Sequence, residues 1–154
     1  MDICIVPYQE SLRQQVFDFT SNCFNELGKR FEPCGRHSFY TIIPQYFVQF
    51  WCMLSGGDII GTVALKRHKN DTAELKALYL AKEFRSKGLG TRLLNKAVDY
   101  ARESGYKRIV LDSMSQYTAA ISLYKKSGFR QIDRFNDNIH ADIFMELILK
   151  EEQL

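Results

Sequence analysis

The chain has no apolar run near the ~18 residues that a membrane helix requires. Its first residues, Met1-Asp2-Ile3-Cys4-Ile5, lack the charged and apolar regions of a secretory leader. Both absences predict a cytoplasmic protein without membrane contact. Its 4 cysteines, Cys4, Cys23, Cys34 and Cys52, show no CxxC spacing. That argues against a zinc site or a disulfide framework and for reduced thiols, so no metal is expected. Repeats and low-complexity segments are also missing. The net charge of +3 is mild. It suits an anionic ligand and is too small to argue for nucleic acid. With 154 residues, 45% of them hydrophobic, residues 1–154 are expected to form a single domain around a proper core.

Ile3 and Ile5 open a short strand that Pro7 ends. Ser11 is a candidate cap for a helix whose stripe runs Leu12, Val16, Phe19, Cys23, Phe24 and Leu27, stopping at Gly28. From Lys29 to Pro44 the pattern breaks down, with room for one helical turn around Ser38–Ile43. That segment reads equally well as an anchored loop or as part of a pocket. Phe47–Leu54 and Ile59–Arg67 are β-prone runs around the hairpin signal Ser55-Gly56-Gly57-Asp58, and His68-Lys69-Asn70-Asp71 turns into a third strand. Arg108–Asp112 reads as a buried strand, Thr118–Ser127 as a helix, Phe129–Asp133 and Ile143–Leu149 as closing strands. Arg134–Asp142 is a polar and aromatic connection, a second candidate pocket loop.

The informative stretch is Phe84-Arg85-Ser86-Lys87-Gly88-Leu89-Gly90-Thr91. Ala73–Leu80 before it alternates like a half-buried strand, and Leu93, Leu94, Ala97, Val98 and Ala101 after it mark an amphipathic helix. Strand, basic glycine-containing turn and helix together aim free N–H groups and a helix dipole at one point, a cradle suited to pyrophosphate. A P-loop is excluded because Lys87 precedes the first glycine. The dinucleotide fingerprint fails because Leu93 stands where its third glycine would be.

The stretch resembles the acyl-CoA loop of the GNAT superfamily of N-acyltransferases, Arg/Gln-x-x-Gly-x-Gly/Ala, through Arg85, Gly88 and Gly90. Ala119-Ala120-Ile121-Ser122-Leu123-Tyr124-Lys125-Lys126-Ser127-Gly128-Phe129 resembles the family's second signature, Ala-x-x-Leu-Tyr-x-x-x-Gly-Phe. The order of elements matches as well. The resemblance implies an α/β (α+β) GNAT fold: a mixed sheet of about seven strands, mostly antiparallel, with a splayed parallel pair and about four flanking helices. It looks like a small stand-alone bacterial-type member. Lys82 and Ser86 stand where that family often has Pro and Gly, and neither change removes an N–H donor.

The same resemblance implies a transferase that moves acetyl from acetyl-CoA to a primary amine by direct attack in a ternary complex. Leu78, Tyr79 and Leu80 would meet the pantetheine arm, with the Leu80 N–H as oxyanion donor. Arg85, Ser86, Lys87, Gly88, Leu89, Gly90 and Thr91 would hold the pyrophosphate. Tyr124 is the candidate general acid, against a plain core aromatic. Tyr117 occupies a position where many members carry Asn, which leaves its cofactor contact open. Glu74 is the candidate base, equally readable as a strand residue or a partner of Lys76; His37, His140 and Asp112 are weaker candidates. Arg36, Tyr40, Arg134 and Asn136 are candidate acceptor-lining residues. The acceptor itself, a small molecule or a protein amine, is unspecified.

Two other readings stand beside this one. A non-catalytic acyl-CoA sensor would keep the loop and lose the acid–base set. A nucleic-acid partner would use Arg85, Lys87, Arg92 and Lys96, but no stacking platform lies beside them. An exposed final strand or the Tyr40–Trp51 region offers a surface for a homodimer.

Overall fold

The computed structural model describes residues 2–149. Its elements are β1 (Ile3–Pro7), α1 (Arg13–Glu26), α2 (Ile43–Tyr46), β2 (Gln49–Ser55), β3 (Asp58–Lys69), β4 (Thr72–Leu80), α3 (Leu89–Glu103), β5 (Arg108–Ser113), α4 (Thr118–Lys126), β6 (Arg130–Gln131) and β7 (Ile143–Ile148). Short 3-10 turns at Glu10–Leu12, Ser38–Ile42 and Lys82–Phe84 link them. The expected helix start at Ser11 is displaced. That residue lies in the first 3-10 turn, and Leu12 precedes α1 without a side-chain cap. The Leu12 N–H to Gln9 carbonyl bond (2.8 Å) already aims the chain into the helix.

The 7-stranded sheet runs β1-β2-β3-β4-β5-β7-β6. Among the described residues only the β4–β5 pair is parallel. The fold is therefore the expected mixed sheet with flanking helices. One expectation changes: β7 is inside the sheet, between β5 and β6, because the short β6 returns to its outer edge. β6 covers β7 only at Met145 and Glu146. In the segment from Tyr40 to Trp51 the two end residues are core, at 3% and 2% exposure, while Ile42 is 49% exposed. No helix among the described residues is long and apolar enough to cross a membrane.

The two faces of the sheet are chemically distinct. On one, Val63, Leu65, Ala73, Leu75, Ile109, Leu111 and Met145 pack beneath the α3 stripe of Leu89, Leu93, Leu94, Ala97, Val98 and Ala101. Each buried leucine there contributes about 1.5–3 kcal/mol. α3 lies so close that a Cβ on Gly61 would sit 2.8 Å from Leu93 Cδ1 and 3.2 Å from the Tyr79 carbonyl, so β3 needs a glycine at this point. On the other face Val16 of α1 meets Tyr40, Ile43, Phe47 and Phe50. Phe31 joins them edge-on to Tyr40, with centroids 5.1 Å apart.

Candidate active site

The site begins with a defect in β4. Ala64 pairs with Lys76 and Thr62 with Tyr79, so Ala77 and Leu78 together oppose the single residue Val63. Ala77 takes φ +55°, and its carbonyl accepts a bond from the Thr62 hydroxyl at 2.7 Å. A bulge of this kind bends and twists its strand. β4 and β5 accordingly pair only at Thr72–Arg108, Ala73–Ile109 and Glu74–Val110, ahead of the bulge. Past it the Ala81 N–H still donates to Ile60 on β3 at 2.7 Å. Strand alternation then turns the polar groups of Leu80, and of Leu78 before it, toward the gap left by β5. The Leu80 carbonyl receives Arg85 Nε at 3.1 Å, which leaves its N–H directed at the gap.

The basic loop leads from that edge into α3. Ser86 and Gly88 adopt φ +65° and +77°, and a Cβ on Gly88 would meet nothing within 4 Å. Glycine is thus suited there by conformation, not by crowding. α3 starts without a side-chain cap, and its first bond is Arg92 N–H to the Gly88 carbonyl at 3.2 Å. The N–H groups of Leu89, Gly90 and Thr91 have no acceptor among the described residues, the arrangement that holds an anion at a helix start.

Two details of the loop were not legible in the sequence. A Cβ on Gly90 would lie 3.4 Å from Leu123 Cδ2, an ordinary contact with α4. The Arg85 guanidinium turns back to Glu26 (2.9 Å) and the Leu80 carbonyl, stapling the loop to α1 and β4. It shapes the cradle instead of adding free charge to it.

The α4 side of the gap carries the tyrosines. Tyr124 is 8% exposed, and no described residue hydrogen-bonds its hydroxyl. Burial first, and the Asp112 carboxylate second, push its phenol above the ordinary range, so the proton stays on at neutral pH. Tyr79 is raised in the same way by burial and neighbouring tyrosines, Tyr124 and Tyr117 among them. Tyr117 caps α4, and its buried hydroxyl has no partner among the described residues. An orphaned buried donor calls for a ligand or water. The loop thus holds a polar group where many family members place an asparagine.

The opposite side of the gap is built from charged and amide side chains. Glu74 is 5% exposed, with Oε2 at 3.2 Å from Lys76 Nζ. Burial alone would lower the Lys76 pKa, but Glu74 and then Asp112 offset it and leave the ammonium raised. Asp112 Oδ2 accepts from Asn136 Nδ2 at 2.7 Å and Asn138 Nδ2 at 3.3 Å. The Glu74–Lys76 pair is one of the two roles expected for Glu74, whereas Asn138 was not among the candidates. Asn138 meets Asp112 only because the 134–142 connection folds back over β5.

The other candidates are placed elsewhere. Tyr40 is core, and Arg36 and His140 are exposed. His37 Nδ1 accepts the Glu32 N–H at 3.0 Å, which in the neutral ring leaves the proton on Nε2 and no free lone pair. Burial, then Arg36, holds its pKa down.

A bulged strand parting from its parallel neighbour, with an uncapped helix start beside the gap, leaves unpaired main-chain groups in the middle of an open sheet. The comparisons with known proteins give the family. Residues 13–129 match the family described as the acetyltransferase (GNAT) family. The chain belongs to that family. It is 31% identical over 105 residues to human N-acetylaspartate synthetase, covering 64% of this chain and 35% of that protein. It is 32% identical over 97 residues to the N-acetyltransferase YjgM of Escherichia coli K12, covering 61% of this chain and 58% of that one. The chain therefore spans between a third and three-fifths of these curated relatives. A GNAT-family acetyltransferase structure from Staphylococcus aureus Mu50 superposes with a TM-score of 0.87 at 25% identity, covering 97% of this chain and all of that one. The PaiA N-acetyltransferase of Thermoplasma acidophilum, solved with coenzyme A, shares the fold with a TM-score of 0.78 at 22% identity, covering 96% of this chain and 99% of that one.

Proposed function

We propose that the chain transfers the acetyl group of acetyl-CoA to the nitrogen of a primary amine, by direct attack in a ternary complex and in a cytoplasmic setting. The observation that carries this reading is the β4 edge past the bulge, whose Leu78 and Leu80 groups face the gap beside the bare start of α3. An extended arm bearing amides fits such an edge as an added strand would. Its pyrophosphate fits the N–H groups of Leu89, Gly90 and Thr91, with Ser86, Lys87 and Gly88 shaping the approach and Arg85 stapling the turn. Tyr117 offers its unpartnered hydroxyl to the arm. Relatives named N-acetyltransferase or N-acetylaspartate synthetase support nitrogen as the accepting atom.

In this reading the Leu80 N–H is aimed at the thioester carbonyl oxygen, where negative charge develops. Tyr124 holds its proton until the C–S bond breaks and then protonates the sulfur. Its raised pKa makes it a weak donor toward a thiolate in water. The dry gap raises the thiolate's proton affinity too, by the same desolvation, and restores the driving force. Glu74 keeps Lys76 charged and sets the polarity of the acceptor side. A covalent relay is disfavoured because burial pushes the thiols of Cys23 and Cys52 up to about 12, leaving them un-ionised. Thiol release from acetyl-CoA in the presence of amino acids, diamines and peptide amines tests the reading. Amine-dependent release supports it; binding of acetyl-CoA without release under any amine would favour the sensor reading.

A further inference from the structure

Asp112 lies two residues past the last β4–β5 pair, half-buried, where the sheet has opened. Both asparagines that bond it do so with a defined orientation. The Asn136 side-chain oxygen takes the Asn138 N–H at 3.0 Å, and the Asn138 side-chain oxygen takes the His140 N–H at 3.1 Å. Each amide's acceptor end is thereby used inside the loop, and each NH2 end faces the carboxylate. The loop is itself pinned. Arg134 donates to the carbonyls of Asn138 (2.8 Å) and Ala141 (2.9 Å) and stacks 4.6 Å from the Phe144 ring centroid. Asp142 receives both the N–H and the O–H of Ser115 at 2.7 Å.

All this structure serves one oxygen. Both asparagine donors go to Oδ2, and Oδ1 has no hydrogen-bond partner among the described residues. A carboxylate held by one oxygen presents the other in a fixed direction. The Glu74 carboxylate is ion-paired through Oε2 with Lys76, whereas Asp112 has no ion-pair partner within 4.0 Å among the described residues. Tyr124 lies close enough to feel its charge.

We infer that Asp112 receives the amino group of the acceptor, its Oδ1 taking a nitrogen-bound hydrogen while Asn136 and Asn138 fix its direction. The inference rests on the acetyl-transfer reading and assigns the acceptor class as a primary amine that docks in its ammonium form, which a hydroxyl or thiol cannot imitate. The docked ammonium first gives one proton to water, and the amine then reacts in its neutral form. Its lone pair forms the C–N bond as the carbonyl electrons move to oxygen. The nitrogen, now acidic, gives one proton to Oδ1, which passes it to water. The carbonyl re-forms, the C–S bond breaks, and the sulfur takes the Tyr124 proton, which solvent then replaces. In sum the ammonium nitrogen loses two protons, one of which is balanced by the proton gained at sulfur while the other is released to solvent.

The test is an NMR titration of the CoA-saturated protein with butylammonium chloride, with 1-butanol as the uncharged probe, on wild type, Asp112→Asn and Asn136→Ala. Wild type should show saturable shifts at Asp112, Asn136 and Asn138 with butylammonium and not with butanol. Asp112→Asn should bind butylammonium at least tenfold more weakly, and Asn136→Ala should fall between the two. Equal affinity in wild type and Asp112→Asn, or no saturable shift at these residues in wild type, overturns the inference. Calorimetry with CoA on the same samples separates the two levels. Failure of wild type to bind CoA removes the underlying reading, whereas normal CoA binding with an ammonium indifferent to Asp112 removes this inference alone. An unchanged CoA affinity in Asp112→Asn also shows that the variant is folded.

Discussion

The two sides of the gap are built from different materials. The donor side, from the β4 bulge through the start of α3, works through main-chain N–H groups aimed by Ala77, Ser86 and Gly88 at positive φ. The opposite side works through side chains, Glu74 with Lys76 and Asp112 with Asn136 and Asn138. A ligand shared by many enzymes can be held by backbone, which is indifferent to side-chain identity. An acceptor that varies must be recognised by groups that substitution can change, here side chains of β4, β5 and the 134–142 connection. The difference teaches where sequence change is tolerated and where it redirects chemistry.

The largest break in this comparison comes from Gly88→Glu. It puts a strained φ and a carboxylate at the mouth of the anion site, and acetyl-CoA affinity should fall at least about 100-fold, or about 2.7 kcal/mol. Calorimetry measures it. Gly88→Ala is the control: its Cβ meets open space, so only the backbone strain of about 1–2 kcal/mol should appear, in urea unfolding. Tyr124→Phe addresses the chemistry between the two sides. It should lower kcat by about 100-fold while acetyl-CoA affinity holds, and wild-type turnover would reduce the residue to packing.

A smaller effect sharpens the side-chain half. Glu74→Gln leaves a mostly buried ammonium without its counter-charge, at a cost of about 1–2 kcal/mol, below the full value for a buried pair because Lys76 keeps some solvent contact. Glu74→Gln with Lys76→Met should recover most of that loss in urea unfolding. Equal loss in single and double variants would show that the pair has no coupling.

The smallest effect lies outside the gap. Burial pushes the Glu146 carboxyl up, but the bonds from Arg130 (2.6 Å) and Arg108 (2.9 Å) outweigh it and hold the pKa below its ordinary value. A depressed folded pKa contributes stability above the unfolded pKa of about 4.5, and that contribution is lost as pH falls through the acid range. Glu146→Gln should therefore flatten the stability profile below pH 4.5 and leave acetyl-CoA affinity untouched.

How much of this was legible follows the same division. The loop and α3 are contiguous, so Arg85, Gly88 and the stripe from Leu93 to Ala101 announce a strand–turn–helix unit together. The succession of strands along the chain followed from periodicity and turn signals, but the place of β7 inside the sheet did not. The roles inside the loop were less visible. Nothing in a linear reading says that Arg85 folds back to Glu26 or that Gly90 faces Leu123, since both depend on elements distant in the chain. Ala77 at positive φ is invisible because alanine carries no sign of a bulge. Asp112, Asn136 and Asn138 become one unit only when β7 draws the connection back across β5.

We propose that the gap and the α3 start together hold CoA. The direct measurement is calorimetric titration of the protein with acetyl-CoA, CoA and ATP in parallel. Saturable binding of acetyl-CoA and CoA is expected, with ATP much weaker because it lacks the arm proposed to pair with Leu78 and Leu80. Failure to bind either CoA species, or ATP binding as tightly as acetyl-CoA, would contradict it.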